Sequence, residues 1–173
     1  MKTGLIHIYC GDGKGKTTAS VGLAVRAAGA GKKVVFAQFF KDGSSSEIAN
    51  LRKLDGIRTV FCPVHHGLYF RMNEEQKERA KADYAALLEL ALEEAKDAEL
   101  LILDEVVSTF NYEVISQSRL LAFLQNKPAA LEVVMTGRDP DRRLLALADY
   151  VTEMKKIKHP FEDGVPARKG IEF

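Results

Sequence analysis

The chain has 173 residues, 46% of them hydrophobic, which suits one domain spanning 1–173 with enough apolar surface for a substantial core. Its 25 basic and 24 acidic side chains leave a formal net charge of +1, so no global field draws nucleic acid or an anionic membrane surface, and any anion binding must be local. Cys10 and Cys62 lie far apart without Cys-x-x-Cys spacing, and no apolar stretch reaches membrane length or follows a basic leader, so a cytoplasmic chain with free thiols is expected.

In chain order, the apolar run 4–9 reads as a buried strand that stops at a glycine-rich loop, Gly11-Asp12-Gly13-Lys14-Gly15-Lys16-Thr17-Thr18. Residues 17–28 form the helix that opens on this loop, with Gly29 and Gly31 past its end. Residues 34–40 are β-branched and aromatic, and they end in the polar run 41–46. A short helix through Ala49 and Leu51 precedes a strand at 57–61, and 63–71 has no period and reads as a loop. Asn73 can cap the longest helix, 74–96, whose apolar stripe includes Tyr84, Leu88 and Leu92. Strands follow at 100–103 and 131–135, then a helix at 141–147 and a last strand at 150–157. Strands alternating with helices imply crossover units, hence an α/β fold with a mostly parallel central sheet and helices on both faces.

The glycine loop between strand and helix is a triphosphate cradle in its chemistry. Glycines reach left-handed conformations cheaply and turn backbone N–H groups inward at a helix N-terminus. Lys16 would neutralise phosphate charge, and the Thr17 hydroxyl would hold a Mg²⁺ ion. The match is to the Gly-Lys-Thr end of the common pattern, because Cys10 stands where that pattern has its first glycine. The apolar run ending in Asp104-Glu105 supplies carboxylates at a strand terminus, where they can face the threonine and its metal. Glu105 has two readings, as a metal-site residue or as the base that activates water in an ATPase. Arg138, after Thr136-Gly137, is a candidate phosphate clamp or a surface group. Ligands in a parallel sheet sit beyond the carboxyl ends of the strands, so the loop, 40–46, Asp104-Glu105 and Thr136-Gly137-Arg138 are expected to meet in one pocket. Cys62, His65 and His66 suggest a metal site by residue type, but they lack a fourth ligand nearby and are read as an ordinary loop.

Taken together, the loop 11–18, the run Gln38-Phe39-Phe40-Lys41, Leu103-Asp104-Glu105, Thr136-Gly137-Arg138 and the tail blocks at 151–153, 158–161, 164–165 and 170–171 resemble the P-loop-type ATP:corrinoid adenosyltransferases. The similarity covers nearly the whole chain from Gly4. It implies a three-layer P-loop NTPase-like fold. It also implies a transfer in which a Co(I) corrinoid attacks the ribose 5′-carbon of ATP and releases triphosphate, in cobalamin biosynthesis or salvage. The resemblance implies Mg²⁺, with Mn²⁺ as a substitute, a homodimer, a flavoprotein reductant, and ATP held in the reverse of the usual P-loop sense. Lys16 and Glu105 would then be the catalytic residues and Thr17, Asp104 and Glu105 the metal set. Residues 11–18 and Arg138 would hold ATP, and Leu68 and Phe70 would lie beneath the corrinoid, where some relatives carry phenylalanine and tryptophan. Two rival readings stay open: a P-loop ATPase or small-molecule kinase, and a non-catalytic corrinoid- or nucleotide-binding module.

Overall fold

The computed structural model describes residues 3–172, so residues 1, 2 and 173 of the expected 1–173 span lie outside the described residues. Six strands, β1 Ile6–Cys10, β2 Val34–Gln38, β3 Ile57–Phe61, β4 Leu100–Asp104, β5 Glu132–Thr136 and β6 Tyr150–Glu153, form one sheet in the order β3-β2-β4-β5-β1-β6. Each neighbouring pair is parallel. All six carboxyl ends therefore open on the same edge of the sheet.

The helices are α1 Lys16–Gly29, α2 Ser46–Leu51, α3 Glu74–Glu94, α4 Val106–Asn111, α5 Gln117–Asn126 and α6 Arg142–Leu145. The two-residue side-chain period of β4 shows how the layers are built. Leu100 and Ile102 enter an apolar cluster with Ala24, Ala27, Ile48 and Leu51 of α1 and α2, while Leu101 and Leu103 enter the cluster that holds Tyr84, Leu88, Leu120 and Leu124 of α3 and α5. A strand buried on both faces reads as a continuous apolar run, which is why β4 is so plain in the sequence. The arrangement is a three-layer α/β fold. Asn73 starts α3 with a reciprocal cap: its Oδ1 accepts from Gln76 N at 2.9 Å and its own N–H donates to Gln76 Oε1 at 2.9 Å.

The structure departs from expectation at several points, among them the second strand, which ends at Gln38 and not at 40, and the helix expected at 141–147, which is Arg142–Leu145. The last strand ends at Glu153 and not at 157: past the rung from Met154 N–H to Cys10 O the chain turns onto the glycine loop, where Met154 O accepts from Gly13 N–H and Lys156 N–H donates to Asp12 Oδ1. The long helix ends at Glu94 and tightens into a 3-10 turn at Ala95–Asp97. Residues 106–130, to which the sequence reading assigns no element, contain α4 and α5.

Candidate nucleotide and corrinoid site

The glycine loop joins the end of β1 to the start of α1. Gly15 caps that helix with φ 117°, and no side chain caps it among the described residues, so the first-turn amides are left to a ligand. Gly13 has a different reason to be glycine. Its N–H donates to Met154 O at 2.7 Å, and a Cβ there would sit 2.5 Å from that same oxygen. Lys16 is nearly buried and its Nζ donates to Gly13 O at 2.8 Å, folding the ammonium back over the loop. Burial, with the Arg138 guanidinium nearby, pushes the Lys16 ammonium below its ordinary pKa. An incoming phosphate would oppose both by supplying an opposite charge that favours the ammonium.

Asp104, wholly buried at the end of β4, is the hub of the site. Its Oδ1 accepts from Thr17 Oγ1 at 2.9 Å and from Thr136 Oγ1 at 2.7 Å, and its Oδ2 accepts from Gln38 Nε2 at 3.3 Å with Lys41 Nζ 3.7 Å away. Three strand ends, those of β2, β4 and β5, and the first turn of α1 thus meet on one carboxylate, and a buried charge is tolerable there because it is hydrogen-bonded and faces a cation. Thr17, Asp104 and Glu105 offer only oxygen, the hard donor set that Mg²⁺ prefers, so these residues fit that ion.

Glu105 occupies the left-handed region, φ 61°, as the N-cap of α4. Its N–H donates to Thr136 Oγ1 at 2.8 Å and its carboxylate accepts from Ser108 Oγ at 2.9 Å. A non-glycine residue held at positive φ is strained, and the strain here aims the carboxylate into the cleft. That cleft, of about 300 Å³, is lined by loop residues 12–18 with Lys41, Glu105, Arg138, His159, Ile171 and Glu172. Arg138 is exposed at the rim, and Asn111 Nδ2 holds its carbonyl at 3.0 Å. The loop, Lys41, Asp104-Glu105 and Arg138 are therefore brought together.

Leu68 and Phe70 stand apart from that cleft, 53% and 69% exposed on a 3-10 turn at Tyr69–Arg71. Between them Tyr69 turns inward, its ring 6.2 Å from Phe40 and 6.3 Å from Tyr112. Phe40 in turn meets Tyr84 edge-on at 5.4 Å. The result is an aromatic shelf with exposed Leu68, Phe70 and Tyr112. Sequence reasoning missed Thr136 and Gln38 as partners of Asp104, and Tyr112 in the shelf. Thr136 and Gln38 each close a strand at the carboxyl edge, which was a usable signal. Tyr112 ends a helix that no periodicity announced.

The three residues set aside as an ordinary loop part company in the structure. His65 Nδ1 lies 3.1 Å from Asp42 Oδ2, whereas His66 Nε2 lies 2.8 Å from Asp83 Oδ2, beside Cys62.

A parallel sheet with a glycine-rich loop, a lysine and a threonine at the first helix, and a carboxylate facing that threonine define a P-loop protein. Consistent with this fold, the chain superposes on EssC (ATPases 2 and 3) from Geobacillus thermodenitrificans with a TM-score of 0.55 at 14% identity, covering 96% of this chain and 35% of that one. The family model described as ATP:corrinoid adenosyltransferase BtuR/CobO/CobP matches residues 2–173. Curated corrinoid adenosyltransferases from Pseudomonas aeruginosa and Escherichia coli K12 are each 34% identical over 98% of this chain, covering 84% and 86% of their own lengths. The corrinoid adenosyltransferase CobA of Salmonella typhimurium is 33% identical over 98% of this chain and 86% of its own. The chain belongs to the ATP:corrinoid adenosyltransferase family.

Proposed function

We propose that the chain, acting as one domain over 1–173, transfers the 5′-deoxyadenosyl group of ATP to the cobalt of a reduced corrinoid in cobalamin biosynthesis or salvage. The observation that carries this reading is the 2.9 Å contact between Thr17 of the glycine loop and Asp104, in a member of this family. The Co(I) electron pair forms the cobalt–carbon bond, the C5′–O bond breaks, its pair leaves on the triphosphate oxygen, and cobalt becomes formally Co(III). No proton moves at the nucleophile, so no general base is required. Glu105, already engaged by Ser108, suits a metal-site role better than water activation.

The protein's part is to hold the leaving group. Loop residues Gly11, Asp12, Gly13, Lys14, Gly15, Lys16, Thr17 and Thr18 would cradle the triphosphate, with Lys16 nearest the buried end and Arg138 at the rim. Thr17, Asp104 and Glu105 would hold Mg²⁺, or Mn²⁺ in its place, which supplies charge neutralisation on the departing triphosphate. Leu68 and Phe70 would form the apolar surface under the corrinoid, where they exclude a lower axial ligand. A cytoplasmic homodimer served by a flavoprotein reductant completes the reading.

Anaerobic incubation with ATP, Mg²⁺ and chemically reduced corrinoid tests it. Triphosphate and a cobalt–carbon bond are expected, and Lys16→Ala should lose roughly 100- to 1,000-fold in rate while keeping the parent's thermal midpoint. ADP and phosphate without adenosylated product would instead identify an ATPase or kinase, and intact ATP bound beside intact corrinoid a binding module.

A further inference from the structure

Cys62, His66 and Asp83 form a second constellation, separate from the glycine loop. Cys62 follows the end of β3 and is buried, His66 lies in the connection that follows, and Asp83 sits on α3. The Cys62 Sγ, a ring nitrogen of His66 and a carboxylate oxygen of Asp83 all lie within 4.8 Å of one another, and His66 Nε2 is 2.8 Å from Asp83 Oδ2. A tetrahedral ion with bonds of about 2.0–2.3 Å spaces its ligand atoms roughly 3.5 Å apart, so side-chain rotation alone closes the remaining gap.

From this geometry we propose that Cys62, His66 and Asp83 bind a thiophilic divalent cation of the Zn²⁺ class, with a water as the fourth ligand.

The donor set selects the ion. Sulfur and imidazole favour zinc-like metals over Mg²⁺ or Ca²⁺, whereas the all-oxygen set at Thr17 and Asp104 has the opposite preference. The two sites therefore need not compete for one metal. Binding replaces the weak contact from the Cys62 thiol to Val64 O, 3.6 Å long, with a thiolate–metal bond, and the thiol proton passes to solvent. The His66–Asp83 hydrogen bond, in which Nε2–H faces the carboxylate, opens to admit the ion: the proton on Nε2 exchanges through solvent to Nδ1, and the ring binds through the bared Nε2. His66 has only 9% of its side chain exposed and its ring lies 5.5 Å from Tyr84, so packing already fixes it, while the 43% exposed Asp83 gives the ion a way in from solvent. His65, turned toward Asp42, takes no part.

The consequence is mechanical. The ion would fasten the start of the 62–71 connection to α3, and that connection carries Leu68, Tyr69 and Phe70. The position of the aromatic shelf then depends on a metal that never touches ATP. The inference is independent of the proposed transferase activity, and it is tested without corrinoid or nucleotide.

The full chain, stripped with chelator and kept reduced, is titrated with Co²⁺ as the spectroscopic probe. One equivalent should produce a near-ultraviolet sulfur-to-cobalt charge-transfer band with tetrahedral visible bands, and Zn²⁺ should abolish both. Cys10→Ser should retain the band and Cys62→Ser should lose it. His66→Gln and Asp83→Asn should each weaken binding about tenfold or more. Asp83→Asn is isosteric and on the solvent side, so its folded state, checked by circular dichroism, keeps the test decisive even if Cys62→Ser fails to fold. Absence of the band at saturating Co²⁺, its survival in Cys62→Ser, or parental affinity in both His66→Gln and Asp83→Asn would overturn the proposal.

Discussion

Thr136 shows how much of the site rests on one hydroxyl. It donates to Asp104 Oδ1 at 2.7 Å and accepts from the Glu105 N–H at 2.8 Å, so it ties the hub carboxylate to the residue held at positive φ. Thr136 and Asp104 have no exposed surface and Glu105 is partly buried, so removing the hydroxyl leaves Asp104 Oδ1 with Thr17 alone and takes the Glu105 N–H's partner away. Thr136→Val keeps the shape and deletes both bonds. Leaving a buried donor unsatisfied costs about 1–3 kcal/mol, so urea unfolding should show a loss of that order, with KM for ATP rising as Asp104 and Glu105 lose their mutual alignment. An unchanged unfolding midpoint and KM would show that Asp104 is held by Thr17 and Gln38 without Thr136.

At the scale of elements, α6 is a four-residue helix whose only buried residue is Leu144, so its start matters more than its length. Asp141 caps it: Oδ1 accepts from Arg143 N at 2.8 Å, and the Arg143 guanidinium forks onto both carboxylate oxygens at 2.9 Å. These bonds hold the Asp141 carboxyl down at about 2, against an ordinary 3.8. A carboxylate with a depressed folded pKa contributes fully above its unfolded value and loses that contribution as pH falls through the folded one. Asp141→Asn should therefore unfold at a lower temperature than the parent at neutral pH, with the difference shrinking from about pH 4 and gone below about pH 2. A difference that is constant with pH would remove the carboxylate's charge from the explanation. The same scale shows what the sequence could and could not reveal. β4 and β5 are legible because burial on both faces writes itself as unbroken apolar runs, and their polar ends then point to Asp104, Glu105 and Arg138. α4 is illegible because it is six residues long and starts from Glu105 in a left-handed conformation, which no ordinary cap pattern announces. α5 did carry a signal, with Ser116 as N-cap accepting from Arg119 N and with Leu120 and Leu124 one turn apart facing the core. Of the Cys62, His66 and Asp83 grouping, the first two are visible as metal-ligand types in the sequence but Asp83 is not, since it is brought in by the packing of α3 against the sheet.

Across the whole molecule the charges nearly cancel, so binding of a polyanion depends on how they are distributed locally. The N-terminal loop and the C-terminal tail meet: Lys156 N–H donates to Asp12 Oδ1 at 2.9 Å, and Ile171 and Glu172 line the cleft beside Lys14, Lys16, Thr17 and Lys41. Glu172 is held down at about 2, chiefly by hydrogen bonds from Arg168, with the charge of Lys14 adding to the effect. Its carboxylate thus occupies part of the positive field that a triphosphate needs, and the two anions repel. Neutralising it while keeping its shape should strengthen binding. Glu172→Gln is expected to bind ATP with Mg²⁺ roughly twofold to fivefold more tightly at low salt, the range of exposed charge pairs, and the advantage should fade as ionic strength brings the Debye length toward about 3 Å near 1 M. Titration of a fluorescent ATP analogue at several salt concentrations measures both effects. Weaker binding by Glu172→Gln at low salt would mean that the tail supports the nucleotide through Arg168 and Glu172 acting together.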